Sequence, residues 1–96
     1  MVVGPAHSPD IALDGLAVNL VQNAQVVATG SSAPDVLDDP YLSLARVCRE
    51  LDAFGLGLEP GHVVLTGSVA ASAKLAEPGP VEASFGRLGS GRVQVV

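Results

Sequence analysis

GLAVNLVQNAQVVATG, residues 15–30, is the stretch on which the fold turns. Two runs rich in Val and Leu, GLAVNLVQ (15–22) and QVVATG (25–30), flank Asn23 and Ala24. Short β-branched runs on either side of a polar pair have the format of a β-hairpin. A type I′ turn favours glycine at its second central position, where this chain carries Ala24, so a two-residue turn and a slightly longer loop are both open.

Downstream, SSAPDVLDDP (31–40) is a polar connection that ends in a helix start, with Asp39 as N-cap and Pro40 at the first helical position. Leu44, Val47, Cys48, Leu51 and Phe54 then follow 3.6-residue spacing among Ser43, Arg46, Arg49, Glu50 and Asp52, which predicts one amphipathic helix closed by Gly55. GLGLEPG (55–61) leads into a predicted strand, HVVLT (62–66). Beyond Pro78, Gly79 and Pro80, VEASF (81–85) alternates as a half-buried strand does, and GRLGSG (86–91) turns the chain into a last strand, RVQVV (92–96). Upstream, Gly4, Pro5 and Pro9 make residues 1–12 an irregular lead-in to the segment 13–96. The order ββ-α-β-β-β predicts an α+β fold: a mixed, mostly antiparallel sheet or roll with one main amphipathic helix.

Composition narrows the function. Hydrophobic residues make up 48% of the 96 but aromatics only 3%, so the core is assigned to Val, Leu and Ala, with Tyr41, Phe54 and Phe85 the only rings. A core of that kind is shallow and calls for a partner surface. The net charge of −5 and five scattered basic residues offer no stripe for phosphates, which argues against a nucleic-acid partner. Asn19, Gln22, Asn23 and Gln25 interrupt the longest uncharged stretch, so no membrane span is expected. With a lone Cys48 and no basic leader pattern, the expected location is the cytoplasm.

Acidic residues suspected of metal binding are Asp35 with Asp38 and Asp39, Glu59, and Glu77 with Glu82. Capping accounts better for Asp39, and hard cations need several oxygens converging on one point. His7 and His62 lack zinc spacing and read as turn residues, while Cys48 falls on the apolar helix face and reads as buried, inert packing. The two glycine-rich loops lead into strands rather than helix N-termini, so they read as turns and not phosphate cradles. Thr66, Gly67 and Ser68 follow an apolar run with no base in sight. Their local chemistry supports orienting a substrate oxygen, not nucleophilic attack.

LVQNAQVVATG (20–30), VLDDP (36–40), LARVCRELDAFGLGLEPGHVVLTGS (44–68) and VEASFGRLGSGRVQV (81–95), in that order and spacing, resemble the C-terminal portion of the fumarylacetoacetate hydrolase superfamily. The branch resembled is that of the 2-keto-4-pentenoate hydratases and 4-oxalocrotonate decarboxylases. The resemblance implies part of a fumarylacetoacetate-hydrolase-like fold, a lyase of aromatic catabolism, and a small keto or hydroxydienoic acid as substrate. It also implies that Ser68, with Thr66 and the Gly67 N–H behind it, holds a substrate carboxylate or keto oxygen. Mg²⁺ or Mn²⁺ is implied as cofactor, bound in the family by a Glu-x-Glu pair and another acid upstream of the matched region; no Glu-x-Glu occurs in these 96 residues.

His62 and Pro80 stand where the family commonly has aspartate after glycine, Ala24 stands where it has a hairpin glycine, and Asp-Asp-Pro replaces Gly-x-Pro. The expectation is a segment inactive by itself, acting as a homo-oligomer or with a missing N-terminal partner. The alternative is a noncatalytic β-rich module that self-associates or completes another chain.

Overall fold

A computed structural model describes residues 1–32 and 39–96. The elements run β1 (Ala17–Gln22), β2 (Gln25–Ser31), α1 (Pro40–Asp52), β3 (Gly79–Ser84), a 3₁₀ turn at Gly86–Leu88, and β4 (Ser90–Val95). The four strands form one antiparallel sheet in the order β2-β1-β3-β4. The fold is therefore α+β with an antiparallel sheet and one helix.

The hairpin closes on the two-residue turn. Gln22 pairs with Gln25, and both turn residues lie in the left-handed region, Asn23 at φ 49° and Ala24 at φ 64°. Left-handed geometry at both central positions is what a type I′ turn requires and what matches strand twist. Asn23 adopts it readily, whereas the Cβ of Ala24 is strained there by roughly 1 kcal/mol. A register shift between Leu20 and Val21 makes a bulge in the same hairpin.

Pairing separates the two faces of the sheet. Leu20 lies opposite Ala28 and Ala83, Val81 opposite Val93, and Ala83 opposite Gly91. On the other face Asn19 is opposite Thr29 and Ser84, and Glu82 is opposite Arg92. Because side chains alternate along a strand, one face is apolar and the other solvated. The core on the apolar face consists of Leu16, Val18 and Val81, 5%, 5% and 6% exposed, with Gln22 buried beside them. Gln22 is satisfied there, since its Nε2 donates to the Glu77 carbonyl at 2.7 Å.

Two irregular segments are tied to this sheet. In the lead-in, His7 Nε2 lies 2.7 Å from the Leu88 carbonyl and Arg87 donates to the Ala12 carbonyl. After the helix, an isolated antiparallel bridge joins Ala70 to Gly30, and Asn23 Nδ2 donates to the Pro78 carbonyl at 3.2 Å. Gly30 is required at that bridge, because an added Cβ would overlap the Val69 carbonyl.

Helix α1 begins and ends as its sequence dictates. The Asp39 carboxylate accepts from the Tyr41 N–H at 2.8 Å, with Pro40 following it. At the far end, Leu56 N–H reaches the Leu51 carbonyl and Gly55 N–H the Asp52 carbonyl, both at 3.0 Å, around Gly55 at φ 68°. This is a Schellman closure.

Three expectations are corrected. Residues 62–66 form no strand: among the described residues no backbone pairs with Val63–Thr66. The apolar face of α1 is only half-covered by the described residues, at Leu44 and Leu51, and no residue of the helix is fully buried. Cys48 is consequently exposed rather than packed, and the rings of Tyr41, Phe54 and Phe85 lie outside the core. The dimensions agree with this arrangement. The radius of gyration of 15.5 Å exceeds the roughly 12–13 Å of a compact domain of this length. The accessible surface of 7050 Å² exceeds by about 2,000 Å² the roughly 5,100 Å² of a compact monomer of 9.6 kDa.

Candidate functional site

Thr66, Gly67 and Ser68 lie together on an exposed turn. Gly67 at φ 103° adopts a backbone conformation closed to most side chains, and the Ser68 hydroxyl donates to the Ala70 carbonyl at 2.7 Å. Two residues on, the Gly30–Ala70 bridge fixes the segment against the end of β2. The turn is thus anchored on one side and open on the other. Exposed there, it can offer a hydroxyl and a backbone N–H to an oxygen.

Two concave features of the described surface lie elsewhere. An open cleft of about 460 Å³ sits on the apolar face of the sheet, between β3 and β4 and the lead-in. Leu20, Val81, Phe85, Leu88 and Val93 line it, with His7 the one titratable side chain. A more polar hollow of about 410 Å³ lies between Leu13, Ser32, Asp39 and Tyr41. Neither includes Thr66, Gly67 or Ser68. Sequence alternation marks Leu20, Val81 and Val93 as one face, but the path of the lead-in across that face leaves no periodic signal in residues 2–7.

Among the described residues no group of three or more His, Cys, Asp or Glu comes together. The described members of the suspected set, Asp39, Glu59, Glu77 and Glu82, therefore do not by themselves make the donor set of the hard divalent cation implied by the resemblance. Asp39 is occupied as a helix cap, and Asp35 and Asp38 lie outside the described residues. His62 acts as a turn residue, its Nδ1 accepting from the Glu59 N–H at 3.0 Å. No described helix is long and apolar enough to cross a membrane. No family model matches the chain, and neither does any curated protein.

Proposed function

We propose that this chain supplies the substrate-holding turn, Thr66-Gly67-Ser68, of a lyase like the 2-keto-4-pentenoate hydratases and 4-oxalocrotonate decarboxylases. A separate polypeptide segment supplies the metal ligands and the proton-transfer groups. The supporting observation is the anchored, exposed segment: Gly30 admits the Val69–Ala70 backbone, and Gly67 and Ser68 lie exposed beside that anchor. Ser68 donates to a substrate carboxylate or keto oxygen after its hydroxyl rotates off the Ala70 carbonyl, and the Gly67 N–H is a second donor. Donors fixed before the reaction stabilise an oxygen on which negative charge grows.

The test mixes the chain with the N-terminal part of a dienoate hydratase deleted for its own C-terminal segment, in Mg²⁺ or Mn²⁺. Loss of the 2-hydroxypenta-2,4-dienoate ultraviolet band is followed. Expected are no turnover by either piece alone, turnover by the mixture, and a drop of about 100- to 1,000-fold with Ser68→Ala, the range for losing one preorganised donor. Turnover by the chain alone, or rescue indifferent to Ser68→Ala, overturns the proposal. The noncatalytic, self-associating module is favoured as a second reading by the excess accessible surface.

A further inference from the structure

The lead-in crosses the apolar face of the sheet over two glycines. A Cβ at Gly91 would stand 2.9 Å from Val2 Cγ1, and one at Gly89 3.3 Å from Pro5 Cγ, so both glycines leave room for the lead-in to lie close. Further along, His7 Nε2 bonds to the Leu88 carbonyl at 2.7 Å, and the Tyr41 hydroxyl donates to the Pro9 carbonyl at 2.6 Å. The cleft of about 460 Å³ is what this crossing encloses with Leu20, Val81, Ala83 and Val93. Ser32 and Asp39, on either side of residues 33–38, line the other hollow and not this cleft. We propose that the cleft is a binding site for one small, neutral, apolar molecule bearing a hydroxyl, an alcohol or a phenol, with His7 as its polar contact.

The chemistry of the lining selects that class. Among the described residues that line the cleft there is no Asp, Glu, Lys or Arg, so nothing there compensates an ion for lost water. Apolar walls with one placed polar group, at this volume, are the makeup of small-molecule sites. A carbonyl oxygen only accepts, so the His7 proton sits on Nε2 and the neutral ring keeps Nδ1 as an acceptor. A hydroxyl hydrogen is the complement of such an acceptor. A peptide strand or a second copy would have to displace Val2 from Gly91 and Pro5 from Gly89 to reach the face, whereas a small molecule enters beside them. Thr66, Gly67 and Ser68 lie outside the cleft, so this site stands or falls apart from the lyase reading.

The test titrates the full chain with three fluorescent probes built on one ring system: naphthol, methoxynaphthalene, which has no hydrogen to donate, and the naphthoate anion. Naphthol is expected to bind one per chain. Methoxynaphthalene should bind about fivefold more weakly for want of one hydrogen bond, and naphthoate at least about tenfold more weakly. Ala83→Leu fills the cleft and should weaken naphthol binding at least about tenfold. Val93→Ser, at a position 44% exposed and so compatible with folding, removes part of an apolar wall and should weaken it about threefold or more, which decides the matter if Ala83→Leu does not fold. Phe54→Ser, on exposed surface outside the cleft, should leave binding unchanged. The proposal is overturned by no saturable binding, by equal affinity for the three probes, by binding indifferent to the folded cleft variants, or by an equal loss with Phe54→Ser.

Discussion

Ala24 is the residue at which local chemistry and fold disagree most clearly. It holds φ 64° in the position where a type I′ turn favours glycine. Ala24→Gly is therefore expected to raise stability by about 1 kcal/mol, read as a higher urea midpoint with an unchanged slope. Gly30 makes the opposite case, because its missing side chain is the space occupied by the Val69 carbonyl. Gly30→Ala should cost about 1–3 kcal/mol through forced backbone movement and should speed amide exchange around Ala70. The strain at Ala24 follows from the hairpin sequence once the turn is two residues long. The need for Gly30 does not, since Val69 is distant in sequence and nothing in ATG announces its approach.

At the level of elements, α1 and the sheet obey different rules. The helix is specified locally, by Asp39, Pro40 and the Gly55 closure, and it lends no residue to the core. Asp39→Ala should remove about 1 kcal/mol from the helix, seen as lost signal at 222 nm in circular dichroism, while leaving the sheet transition in place. Leu42→Ser on the exposed face should change the stability of the sheet by less than about 0.5 kcal/mol. Val18→Ala, at the buried second position of β1, should cost about 2 kcal/mol or more, enough to unfold much of a domain with so small a core among its described residues. The helix bounds, the hairpin and the two last strands were legible because caps, turn residues and two-residue alternation are short-range signals. Residues 62–66 show the limit of such signals: valine and leucine favour a strand, yet a strand exists only where another backbone accepts its bonds.

At the scale of the molecule, the apolar core of three among the described residues contrasts with the exposed Phe54, Leu56, Val63 and Leu65. Small-angle scattering under conditions that hold the chain monomeric should give a radius of gyration near 15.5 Å, and a hydrophobic dye should bind to the folded state. By itself the sequence determined the α+β class, the hairpin and the capped helix. These follow from backbone preferences and periodicity within a dozen residues. Tertiary structure alone decided that β3 lies beside β1, that the lead-in walls an apolar cleft against β4, that Cys48 is exposed, and that Ala70 is bridged to Gly30. Those outcomes depend on which distant backbone and apolar surfaces are present to be paired and buried, and no local pattern encodes them.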